Sequence, residues 1–89
     1  MVRKRFIIPP YTFELEKARV TILEVTKVGI DERNYKYLVT LYVEFGGYRS
    51  KVFNLLVSNN QELIEKLRAE IAKMRLFILT GQHHLFLTK

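Results

Sequence analysis

Five side chains between Tyr35 and Val57 suit one kind of chemistry by type and spacing: Lys36, Tyr42, Arg49, Lys51 and Phe53. Cations beside aromatic rings hold a phosphate backbone by charge while bases stack on the rings, a contact that tolerates any base sequence. Gly46-Gly47 is what brings the five together. Two glycines between alternating apolar arms mark a two-residue type I′ hairpin turn, which needs positive φ at both central positions. That turn sets Phe45 opposite Tyr48, Glu44 opposite Arg49, Val43 opposite Ser50 and Tyr42 opposite Lys51. Further out, Leu41 faces Val52, Thr40 faces Phe53 and Leu38 faces Leu55.

Side chains alternate with period two, so this register sorts the hairpin into two surfaces. Tyr37, Val39, Leu41, Val43, Phe45, Val52 and Leu56 read as core. Lys36, Leu38, Thr40, Tyr42, Glu44, Arg49, Lys51, Phe53 and Leu55 form the other surface, where cations and rings are mixed. Tyr42 and Phe53 are the expected stacking platform, and Lys36, Arg49 and Lys51 the expected phosphate contacts. A second reading stays open. Arg49 opposite Glu44 suits an exposed ion pair, and Leu38 with Leu55 makes the surface partly apolar, as a covered or partner-binding face would be.

Other residues extend the candidate site. Arg33 lies in the polar stretch Gly29–Asn34, and His83-His84 in a loop near the C-terminus. Arg3, Lys4 and Arg5, followed by Phe6, read as a basic arm. The histidine pair does not suggest a metal site: neighbours on an extended chain point to opposite sides, and no further His or Cys completes a ligand set. Nothing points to catalysis or to a cofactor. There is no cysteine, no Gly-rich phosphate loop and no nucleophile or zinc motif.

Size and composition agree with a small binding domain. A chain of 89 residues with 48% hydrophobic content supports one core. Fifteen Lys and Arg against nine Asp and Glu leave a formal charge of +6, which favours polyanionic partners. No apolar run approaches the ~20 residues that cross a bilayer, and Phe6-Ile7-Ile8 is too short for a secretory segment. A cytoplasmic protein with no membrane contact is expected.

Residues 1–17, with Pro9-Pro10, read as a basic N-terminal arm or edge segment, and 18–89 as one domain. Arg19–Val28 is a strand whose parity changes: Val20 and Ile22 share one face, Leu23 and Val25 the other. That predicts a bend or bulge. Asn59 with Glu62, or Ser58 with Gln61, has capping-box spacing at a helix start. Leu63, Ile64, Leu67, Ile71 and Met74 then fall on one helical face. Arg75–Leu79 is either the continuation of this helix to a Gly81 cap or a buried strand; the short apolar run favours the strand, with a last strand over Leu85–Leu87.

The order strand, strand, strand, helix, strand, strand resembles the OB-fold, a five-stranded barrel with a helix between its third and fourth strands. The resemblance covers roughly residues 18–88 and lies in element order and in the parity switch of Arg19–Val28. It implies a ligand surface on strands two and three, flanked by Gly29–Asn34 and Thr80–His84. The expected fold is mainly β with one helix, an OB-like barrel; its rival is an α+β domain, a three-stranded meander packed on one long helix. The expected function is non-catalytic binding of single-stranded DNA or RNA with little sequence preference. The rival is a protein-protein interaction module or assembly subunit, including a homo-oligomer, that uses the same face.

Overall fold

A computed structural model describes residues 10–29 and 31–81, and the backbone of 87–88. Five antiparallel strands follow one another: β1 (Tyr11–Leu15), β2 (Ala18–Gly29), β3 (Tyr35–Phe45), β4 (Tyr48–Ser50) and β5 (Phe53–Val57). Helix α1 (Asn60–Leu79) comes next, then the two-residue strand β6 (Leu87–Thr88). The order across the sheet is β1-β2-β3-β4-β6, and β5 also pairs with β3. The sheet is open among the described residues, with β1 at one end. The molecule is elongated, 46 × 20 × 19 Å, as the 12-residue β2 and 11-residue β3 require, and these two run on as a ribbon for two rungs past the last rung with β5, Tyr37 opposite Val57.

The turns form for local reasons. Gly46 and Gly47 have φ of 60° and 84°, and Phe45 pairs with Tyr48 and Glu44 with Arg49, as the glycine pair predicts. The β1–β2 turn has the same left-handed geometry without glycine: Glu16 and Lys17 sit at φ 50° and 70°. Each costs ~1–2 kcal/mol relative to a right-handed conformation. Glu16 also reaches Arg68 of α1 at 3.1 Å and ties the turn to the helix.

Two bulges shape the sheet. In β2 the register slips between Ile22 and Glu24, so Leu23 is the extra residue that the change of parity implied. The second lies between β4 and β5 and overturns part of the expected register. From Phe53 outward the pairs are Leu41 with Phe53, Thr40 with Asn54, Val39 with Leu55 and Leu38 with Leu56, one residue away from expectation. The buried Ser50 side chain is the cause. Its Oγ accepts the Val43 amide at 2.9 Å and donates to the Lys51 carbonyl at 3.0 Å, so the main chain leaves the ladder at Lys51-Val52. A one-residue slip reverses every side chain beyond it. Phe53, Leu55 and Val57 therefore face the core and Leu56 faces out, while Val52 is 56% exposed.

Helix α1 covers the inner face of the sheet through buried Leu63, Leu67, Ile71 and Met74. Opposite them lie buried Val20, Ile22, Val39, Leu41 and Val43, each contributing ~1.5–3 kcal/mol of apolar burial. Asn59 is the N-cap: its Oδ1 accepts the Glu62 amide at 2.8 Å, and Glu62 accepts the Ser58 amide at 2.8 Å. At the other end the expected strand over Arg75–Leu79 is instead the end of this helix. The spacing Ile71, Met74, Ile78 keeps the helical period, the Arg75 guanidinium lies 5.2 Å from the Phe45 ring centroid, and Gly81 follows at φ 77° as the left-handed residue past the end. Of the last expected strand, Leu85 and Phe86 lie outside the described residues, and Leu87–Thr88 pairs with β4. The order thus departs from the one that carried the OB-fold resemblance. A mainly β sheet with one long helix across one face is what the chain forms.

Candidate interaction face

The face turned away from α1 is built by register. Its first row is a charge ladder across four strands: Glu14 opposite Arg19, Arg19 opposite Glu44, Glu44 opposite Arg49. Each neighbour carries the opposite sign, an arrangement that stabilises adjacent strands. Arg49 Nε lies 3.8 Å from Glu44 Oε2, and its guanidinium stacks 4.7 Å from the Tyr42 ring centroid. Tyr42 stands opposite Thr21, whose hydroxyl meets that of Thr12 at 3.1 Å. Farther along, Thr40 donates to Asn54 Oδ1 at 2.7 Å.

Toward the ribbon the face becomes apolar. Leu38 is opposite Leu56, and Val28 is opposite Lys36. An open cavity of about 520 Å³ lies here, lined by Val28, Gly29, Arg33, Asn34, Tyr35, Lys36 and Leu56. The loop beside it is pinned by Asp31, whose Oδ1 accepts the Asn34 and Arg33 amides at 2.8 Å each. Those amides, Asn34 first, hold the Asp31 carboxyl below its ordinary value. On the inner side of the ribbon, Lys27 Nζ lies 4.1 Å from the Tyr35 ring centroid.

The residues picked from sequence are distributed as follows. Lys36, Tyr42 and Arg49 share the outer face, but Lys36 and Tyr42 are six residues apart on β3, on the order of 20 Å. Lys51 is exposed at the bulge, and Arg33 is exposed in the ribbon loop. Phe53 is not beside Tyr42: the slip at Lys51-Val52 packs it against the core, so the two-ring platform does not form. Leu55 leaves the outer face for the same reason. Arg3, Lys4, Arg5, His83 and His84 lie outside the described residues. Glu14, Arg19, Thr21 and Leu56 belong to the face without having been picked. The alternation in Tyr11–Leu15 was a signal for the first of these, and its pairing with β2 makes residues 11–15 an edge strand.

Charge is balanced in the paired rows of this face, with Arg33 and Lys51 exposed at its margins. Glu14, Glu24 and Glu44 stand against Arg19, Lys36 and Arg49. Four of the fifteen cations, Arg3, Lys4, Arg5 and Lys89, lie outside the described residues, and the remaining eleven are counted against all nine acids. The net positive charge is therefore mostly terminal.

Among the described residues no three His, Cys, Asp or Glu gather as metal ligands, and no helix is long and apolar enough to cross a membrane. Comparison with protein-family models, curated proteins and solved structures gave no match.

Proposed function

We propose that the protein is a non-catalytic protein-interaction module whose contact surface is the outer face of the sheet. One observation carries the reading: the paired rows of that face set three carboxylates against three cations, Arg33 and Lys51 lying only at its margins, and the face grades into the apolar group Leu38, Leu56 and Val28. A surface that tracks nucleic-acid phosphates needs an excess of cations. A face of nearly balanced charge with an exposed apolar end fits a protein partner, which desolvates the apolar end and leaves the charged row at the rim. Leu56, 43% exposed, is the anchor. The test is capture of a partner from the native extract by immobilised protein, with Leu56→Asp and Leu38→Asp alongside. The expected result is a defined protein retained by the parent and lost from both variants while their thermal unfolding stays cooperative. Equal retention by parent and variants would discard this face.

A second reading, single-stranded nucleic acid bound without sequence preference, is supported by the location of the net charge at Arg3, Lys4, Arg5 and Lys89. In it the basic arm supplies the phosphate contacts and Tyr42, with Lys51, receives a base. Replacing Arg3, Lys4 and Arg5 by alanine should lower the log–log salt slope for a mixed-sequence single strand by about 2. Tyr42→Ala should weaken binding by ~1–3 kcal/mol at unchanged slope. A single strand that fails to bind the parent at low salt ends this reading.

A further inference from the structure

The rim of the sheet carries an inference separate from its face. β1 is the terminal strand, and its outward backbone groups have no strand partner among the described residues. The two-residue turn joins the Leu15 carbonyl to the Ala18 amide, so by alternation Tyr11, Phe13 and Leu15 bond toward β2. Thr12 and Glu14 then aim their N–H and C=O groups away from the sheet. Protein edges are usually blunted by short length, by proline, by lysine, by a bulge or by an inward charge. β1 is short and follows Pro10, but it carries no lysine, bulge or inward charge: its pairing with β2 is unbroken, and its one charge, Glu14, is on the outer face. Tyr11, 47% exposed, and half-buried Phe13 line the inner side with ring centroids 5.5 Å apart.

We propose that this edge pairs antiparallel with β1 of a second copy of the chain, about a two-fold axis through Phe13. Only registers that keep each face together are admissible, and three do so within the strand. Centring on Glu14 sets two carboxylates directly opposite each other. Centring on Thr12 places Glu14 against Pro10, which has no N–H to offer. Centring on Phe13 pairs all five residues: Tyr11 with Leu15 of the second copy, Phe13 with Phe13, Thr12 with Glu14. Every inner contact is then apolar on apolar, no like charges meet, and Thr12 and Glu14 exchange four main-chain hydrogen bonds across the axis. Such isologous pairing is the commonest closed symmetry of small proteins. The strand is short, so the dimer is a weak one. It joins the outer faces of two sheets into one surface, but it does not depend on what that surface binds.

The test is sedimentation velocity of the full chain from micromolar to millimolar concentration, with amide exchange of Thr12 and Glu14 followed in parallel. A monomer–dimer equilibrium is expected, with both amides gaining protection as dimer forms. Residue 12 then reads the register through sign. Thr12→Lys faces Glu14 of the second copy and should tighten the dimer about fivefold, while Thr12→Glu should weaken it by a similar factor. Thr12→Pro removes an outward donor without touching a β1–β2 rung and should abolish pairing. A chain that stays monomeric at millimolar concentration overturns the proposal. So does a dimer indifferent to all three substitutions. Should Leu56→Asp alone dissociate the dimer, the face and not the edge is the contact, and the proposal again fails.

Discussion

The Val43 amide donates to the hydroxyl of Ser50 at 2.9 Å, where an unbroken hairpin would have bonded it to the Ser50 main chain. That side chain, buried with 2% exposure, replaces a rung of the ladder and releases Lys51-Val52 as a bulge. Ser50→Ala leaves a buried N–H unpaired or forces the slip to close. A loss of ~1–3 kcal/mol in urea unfolding is expected, with faster amide exchange at Val43. A change within ~0.5 kcal/mol would mean that the hydroxyl does not hold the bulge.

Phe53→Ala and Tyr42→Ala separate the two registers by stability alone. Phe53 packs against the core and should cost ~2–4 kcal/mol, whereas Tyr42, on the outer face, should cost less than ~1 kcal/mol. Equal costs would return Phe53 to the outer face.

Left-handed turn positions should respond oppositely at the two hairpins. Gly47→Ala meets open space, so its cost is backbone strain, ~1 kcal/mol or more. Lys17→Gly removes the same kind of strain and should raise thermal stability by up to ~1 kcal/mol. A destabilised Lys17→Gly would show that the lysine side chain makes a contact worth more than its strain.

Acid should weaken the start of α1. The Ser58 amide first, then Lys66, holds the Glu62 carboxyl below its usual 4.5. The folded value is depressed, so this contribution is complete above pH 4.5 and is lost as pH falls through the lowered folded value. Glu62→Gln should flatten the acid limb of a stability–pH curve and leave neutral pH less affected than Asn59→Ala, which removes the cap itself at a cost of ~1 kcal/mol. An unchanged acid limb in Glu62→Gln would assign it to other carboxylates, Asp31 among them.

Features settled within a few residues were legible in the chain by itself. Gly46-Gly47 sets its own φ angles, Asn59 and Glu62 meet across one helical turn, and Leu23 displays its bulge by breaking an apolar alternation. The second bulge gave no such sign. In Phe53-Asn54-Leu55-Leu56-Val57 both parities carry apolar side chains, so the segment suits the core either way up. Which way it faces depends on a count of residues between partners on β3 and β5, and one serine hydroxyl changes that count from even to odd. Arg75–Leu79 was decided in a similar way: its apolar run suits a strand or a helix, and packing on Phe45 together with the left-handed Gly81 selects the helix. The outer face is likewise tertiary. Glu14, Arg19, Glu44 and Arg49 are scattered over 36 positions of chain, and only the pairing of four strands sets them in one alternating row.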